Sequence, residues 1–203
     1  MTAQLFPMPK MSRRSTFVWL LRLACGALAA WALFLFAVTY SNTITPTGII
    51  VHHSAVPLSY VDGALDATTL DEIHRQRGFG ISYWGRTYHI GYHYLILPDG
   101  TVQQGRPERC QGAHARGYNS YLGICLIGGF SKENNLRGEL GPKEPTAAQM
   151  HALSELCRRL QERYNIPAHN VLRHHDVNVE TECPGDQFPL TQLREQLIAL
   201  LGN

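Results

Sequence analysis

Acidic side chains are missing from the first 40 residues of this 203-residue chain, which hold four cations, Lys10, Arg13, Arg14 and Arg22. Charge is scarce overall, at 17% of residues against the roughly 25% usual in soluble domains. The other 163 residues carry 14 basic and 16 acidic groups, so the formal +2 divides into a +4 head and a −2 body. A mildly acidic body has no basic face or stripe, which excludes nucleic acid as a partner. What is present in quantity is apolar surface and histidine. A hydrophobic content of 44% supports one domain with a real core and excludes disordered and fibrous chains. All ten histidines fall in the body, and neutral imidazole is the commonest metal ligand.

Phe17 to Tyr40 is apolar apart from Arg22 and a few small polar residues. As a helix these residues reach about 36 Å, and the uninterrupted part from Leu23 covers about 27 Å, close to the hydrocarbon thickness of a bilayer. Residues 17–40 are therefore expected to form a transmembrane anchor. The cations before it place residues 1–16 in the cytoplasm and everything from residue 41 outside. A cleavable signal peptide shares the basic head and apolar stretch, but the length favours an anchor and the exit from Phe36 to Asn42 has no clear A-x-A-like site.

Ser41 to Gly48 is short, polar and turn-rich and reads as a linker, leaving 49–203 as the exported domain. Ile49-Ile50-Val51 is a β-branched run entering His52-His53, a buried strand ending in polar groups. Helical spacing runs from Thr69 to Arg77 and stops at Gly78. Ile90 to Leu97 reads as a strand, Pro98-Asp99-Gly100 as a turn, Thr101-Val102-Gln103 as the return of a hairpin, and Leu122 to Ile127 as another apolar strand. Thr146-Ala147-Ala148-Gln149 is a capping box opening a long amphipathic helix that ends near Asn165, and Thr191 to Leu201 is a closing helix. Strands and helices mix without internal repeats. The fold class is accordingly α/β, a single domain with a central mixed β-sheet flanked by helices, preceded by one transmembrane helix.

Three features can carry chemistry: His52-His53 at a strand exit, His174-His175-Asp176 after the strand start Val171-Leu172, and Cys183 before Pro184-Gly185. Two imidazoles and a thiolate suit zinc, and three protein ligands leave a fourth tetrahedral position open, as catalytic sites do. Spacing alone equally allows polar surface histidines and a small buried cysteine.

The stretches Ile50-Val51-His52-His53-Ser54-Ala55, Gly91-Tyr92-His93-Tyr94-Leu95-Ile96 with Pro98-Asp99-Gly100-Thr101-Val102, Gly112-Ala113-His114-Ala115-Arg116-Gly117-Tyr118-Asn119 with Gly123 to Gly129, and His174-His175-Asp176-Val177 with Cys183-Pro184-Gly185 together resemble the type-2 N-acetylmuramoyl-L-alanine amidases. That family includes the amidase-type phage lysozymes and the peptidoglycan recognition proteins. The match runs in the family's order from about Ile49 to Phe188.

The resemblance implies Zn2+ held by His52, His174 and Cys183. For the second ligand, the pattern His-any-acid-Val selects His174, whereas counting back from the cysteine favours His175, because the loop to Cys183 is one residue longer than in the phage enzymes. His174 is preferred, since loops absorb insertions more readily than strand registers. Tyr92 matches a catalytic tyrosine and Thr181 the place held by Lys or Thr; His114 and Asn119 match positions lining the substrate groove. The implied reaction is hydrolysis of the amide between N-acetylmuramic acid and L-alanine in peptidoglycan, for cell-wall remodelling or turnover. A membrane-anchored monomer, with its catalytic domain on the periplasmic or cell-wall face, is expected.

Other readings of single residues stand beside these. Tyr92 is also a plausible core aromatic. His93 alternates with Tyr92 and reads as a core residue or as a support behind the site, while His74, His89, His151 and His169 read as surface or helix positions. Cys110, Cys125 and Cys157 make no even framework, so no structural disulfide is expected. Gly78 to His89 is longer than the family's usual connection and reads either as an aromatic rim over the groove or as a self-packed loop, and Tyr121-Leu122-Gly123 departs from the family's Ser-Ile-Gly. Two other functions compete: a non-catalytic peptidoglycan-binding module, whose usual mark, loss of the cysteine ligand, is missing here, and a cysteine peptidase. Glu180 and Glu182 disfavour the latter, because negative neighbours raise a thiol pKa.

Overall fold

In the computed structural model, residues 13–60 and 65–201 are described, and the chain forms two compact units, one up to Ser41 and one from Asn42 onward. Much of the cytoplasmic tail expected over residues 1–16, including Lys10, lies outside the described residues.

The first unit is helix α1 (Arg13–Ser41). Large apolar side chains stand exposed along it, among them Trp19, Leu20, Leu28, Trp31 and Phe34. A helix apolar on all faces is at home in a core or in lipid, and Arg14–Ser41 is long and apolar enough to cross a membrane.

The second unit is built on a five-stranded sheet in the order β5-β4-β6-β1-β7, comprising β1 (Ile49–His53), β4 (Tyr94–Ile96), β5 (Val102–Gln104), β6 (Leu122–Leu126) and β7 (Val171–Arg173). β4, β6, β1 and β7 run parallel and β5 is antiparallel, the mixed sheet expected. Both faces are covered, which is why β6 reads as an unbroken apolar run. On one face α3 (Ala147–Tyr164) and α5 (Leu190–Leu201) bury Ile49, Val51, Leu122, Ile124 and Leu126 with Leu153, Leu156, Leu160 and Leu193. On the other, α2 (Ala67–Gln76) brings Leu70 against Leu95, Cys125 and Ile127.

Several boundaries differ from the sequence reading for local reasons. Residues 42–48 are laid onto the domain: Gln111 N–H donates to the Asn42 carbonyl, Ile44 N–H to Arg109, and Thr43 bridges to Cys110. α2 starts two residues earlier than its spacing suggests because Asp66 caps it, accepting from the Thr69 N–H at 2.8 Å. The strand expected from Ile90 begins only at Tyr94. Asp71 takes the amides of His89 and Ile90, and His74 Nδ1 accepts from Gly91 N–H at 2.9 Å, so side chains of α2 capture the donors a ladder would need. His74, read as a surface or helix position, is thereby buried. The long connection is a hairpin, β2 (Ile81–Tyr83) and β3 (Arg86–Tyr88), turning through Trp84 and Gly85, both at positive φ. After β7 the chain enters one short helix, α4 (His174–Val177).

The capping box forms as expected and does more. Gln149, fully buried, also donates from Nε2 to the carbonyls of Ile96 (3.1 Å) and Ile127 (3.0 Å), tying α3 to the ends of β4 and β6. Replacing it orphans the buried Ile127 carbonyl, strips the Ile96 carbonyl of one of its two donors, the other being the Ile127 N–H, and breaks the bond that Gln149 Oε1 accepts from Thr146 N–H, whereas Thr146 mainly supplies a cap. Gln149→Ala should therefore cost about 2–4 kcal/mol and Thr146→Ala about 1 kcal/mol in urea unfolding.

Candidate metal centre and active site

The register of the sheet creates the site. β1 pairs with β7 as Ile49↔Val171, Ile50↔Leu172 and Val51↔Arg173, so continuing the pairing by one residue sets His52 beside His174. Both lie at the carboxyl ends of parallel strands, where open α/β sheets place their sites. Along β1 alternation sends Ile49 and Val51 to the α3 face and His52 to the other.

Cys183 arrives on a loop pinned from both ends. Its carbonyl accepts from His175 N–H at 2.8 Å, its N–H donates to Thr181 Oγ1 at 3.2 Å, and its sulfur receives the His53 amide at 3.4 Å. The ligand atoms of His52, His174 and Cys183 all lie within 4.8 Å of one another, with Cys183 Sγ 3.6 Å from His52 Nδ1. His175 turns elsewhere: its Nδ1 donates to the Thr181 carbonyl at 2.7 Å, and it lines a neighbouring cavity of about 410 Å³ with Lys132, Glu182 and Asp186. The two adjacent histidines, inseparable by counting, thus part company in space.

The electrostatics suit a cation. Burial first, then the neighbouring imidazoles His114, His174 and His53, hold His52 well below 6.5, and burial lowers His174. These rings are neutral near pH 7 and offer lone pairs. Burial pushes the Cys183 thiol up to about 12, so without a cation beside it the sulfur stays protonated and is no nucleophile. Two imidazoles and a buried sulfur converging this closely fit the tetrahedral preference of zinc.

Tyr92 packs its ring on this group, 5.1 Å from the His52 ring centroid and 5.6 Å from that of His74. Burial, with the Cys125 and Cys183 sulfurs adding to it, raises its pKa well above 10, so the phenol keeps its proton. Thr181 lies on the cysteine loop, its hydroxyl oxygen accepting from the Cys183 N–H. His114 is buried, with one ring nitrogen 3.0 Å from His52 and the other 2.9 Å from the Tyr121 carbonyl; both are used inside the protein. Asn119 Oδ1 accepts from the amides of His114 and Ala115, folding the loop.

Two supports stand behind the site, of which His53 escaped the sequence reading and His93 bears out its reading as a core residue or a support. His53 Nδ1 accepts from the Phe130 N–H at 3.1 Å, and His93, fully buried, donates from Nε2 to the Cys110 carbonyl while its Nδ1 accepts from the Gly123 N–H. The adjacency of His52 to His53 was the available signal for the first. Cys110, Cys125, Cys157 and Cys183 are buried and free.

Residues 42–186 match the family model for N-acetylmuramoyl-L-alanine amidase. The endolysin of Enterobacteria phage T3 is 34% identical over 149 residues, covering 72% of this chain and 85% of that one. Among solved structures, the N-acetylmuramoyl-L-alanine amidase endolysin LysCS of Clostridium intestinale is similar at a TM-score of 0.59 and 37% identity, over 76% of this chain and 85% of that one. Drosophila PGRP-LB is similar at a TM-score of 0.53 and 29% identity, over 72% and 79%.

Away from the three convergent side chains, burial lowers His74 and His93 from 6.5 to about 4. Falling pH protonates these imidazoles in the unfolded chain near 6.5 but in the folded chain only near 4, so stability present above pH 6.5 is lost across that window. Urea unfolding of chelator-treated protein should show this decline. In His93→Asn, which keeps an acceptor for Gly123, the slope should be shallower by up to about 1.4 kcal/mol per pH unit.

Proposed function

The chain belongs to the N-acetylmuramoyl-L-alanine amidase family, and from that premise we propose that it is a zinc-dependent hydrolase of the amide between N-acetylmuramic acid and L-alanine in peptidoglycan. The observation that carries the reading is the convergence of His52, His174 and Cys183 within 4.8 Å. Zinc bound there would supply Lewis-acid polarisation of the amide carbonyl and a water acidified towards neutral pH.

The chain's own groups divide the remaining work. Tyr92, its phenol held protonated by burial, is a donor and not a base, and we assign it to the negative charge that grows on the carbonyl oxygen. Thr181, whose oxygen already accepts from Cys183 N–H, keeps its hydroxyl hydrogen for the same oxygen or for orienting the attacking water. The Gly112 to Asn119 loop borders the site through His114, and the Asn119 amide nitrogen is the donor we assign to the muropeptide. We place residues 42–203 outside the cytoplasm, working as a monomer and tethered by the apolar helix. The four cations in the first 40 residues, ahead of or at the start of its apolar run, support that orientation.

The test is mass spectrometry of muropeptides incubated with the full-length protein in detergent. Release of free stem peptide beginning at L-alanine is expected, abolished by chelation and restored by zinc. Tyr92→Phe should retain zinc but lose about 10²–10³-fold in kcat, and Cys183→Ser should lose both metal and activity. Intact muropeptides under every metal condition would identify a binding module instead, and cleavage that survives chelation would identify a thiol peptidase.

A further inference from the structure

We propose that His114 is a positioning residue for His52, fixing it as the Nε2–H tautomer so that its Nδ1 lone pair is the one presented to a metal; the proposal rests on the metal reading above. A backbone carbonyl can only accept. The 2.9 Å contact with the Tyr121 carbonyl therefore makes His114 Nε2 the donor. A neutral imidazole has one N–H, which leaves a lone pair on His114 Nδ1. His52 Nε2 lies 3.0 Å from that lone pair and must carry the hydrogen between them. The lone pair of neutral His52 is then on Nδ1, the nitrogen 3.6 Å from Cys183 Sγ. The opposite tautomer of His52 would set two lone pairs against each other in a buried site or turn a lone pair of His114 onto the Tyr121 carbonyl, and each leaves a buried hydrogen bond unmade.

Packing supports the same role independently. His114 sits in a slot made by two glycines. A Cβ at Gly123 would fall 2.5 Å from His114 Cδ2 and 2.6 Å from Cγ, and one at Gly112 would fall 2.5 Å from Cδ2 and 2.9 Å from Nε2. Behind it, His93 accepts from the Gly123 N–H and so fixes one wall. The imidazole planes of His52 and His114 cross at 82°. Metal-bound histidines commonly hand their second N–H to a carboxylate or carbonyl. Here a second imidazole bridges the gap from His52 to the Tyr121 carbonyl. Being neutral, it adds no charge beside a sulfur that becomes anionic on binding a cation, so the ion's excess positive charge is kept for the substrate.

Zinc affinity of the full-length protein in detergent, measured by competition with a chromophoric chelator, tests this. His114→Phe, which fills the slot but offers no acceptor, should bind zinc about 10–100-fold more weakly. His114→Asn, whose Oδ1 stands near the position of Nδ1, should recover most of that loss. Long-range ¹H–¹⁵N correlation of the metal-free wild type should show His52 protonated on Nε2 and His114 on Nε2, a readout that needs no variant to fold. Unchanged zinc affinity in a folded His114→Phe protein, or a proton on His52 Nδ1, overturns the proposal while leaving the metal site standing. A wild type that takes up no zinc removes both.

Discussion

The parallel pairing of β1 with β7 is the constraint on which the rest depends. It aligns Val51 with Arg173, and the residue that follows each of them is a histidine. A slip of one residue in either strand would turn its histidine to the opposite face. The apolar cores on the two faces forbid that slip, because Ile49 and Val51 are buried against α3 and α5. The convergence of His52, His174 and Cys183 is therefore held by hydrophobic burial at a distance from it, and the histidines need contribute nothing to stability themselves.

The same economy appears in the elements that surround the site. α2 is held to the sheet by Leu70, yet its polar residues Asp71 and His74 take the backbone amides of residues 89–91 and end the strand there. The bend that results allows Tyr92 to join the α2-side cluster and rest its ring on His52, while His93 turns into the core to grip Gly123. Alternation along a regular strand would have separated Tyr92 and His93 onto opposite faces. Burial of so many neutral imidazoles is costly in acid, and the same burial keeps their lone pairs available near neutral pH.

Much of the architecture was legible in the sequence because it is local. The capping box from Thr146 to Gln149, the amphipathic run behind it and the apolar strands at 49–53 and 122–126 follow from side-chain periodicity and hydrogen bonds within a few residues. The hairpin over 81–88 was not legible, since its turn uses Trp84 at positive φ, a conformation that a tryptophan does not advertise. Nor was the burial of His74, which depends on the amide of Gly91, 17 residues away.

For the site the division falls along the same line. The sequence by itself determined which residue types were available, two histidine pairs and one cysteine in ordered motifs, because those are matters of composition and pattern. Tertiary structure decided which members of each pair face one another. His174 continues the β7 register while His175 turns aside to the Thr181 carbonyl, and His114 turns inward to His52, since the ring of His52 is met by His114 and Cys183 from 62 and 131 positions away, contacts that no local spacing encodes.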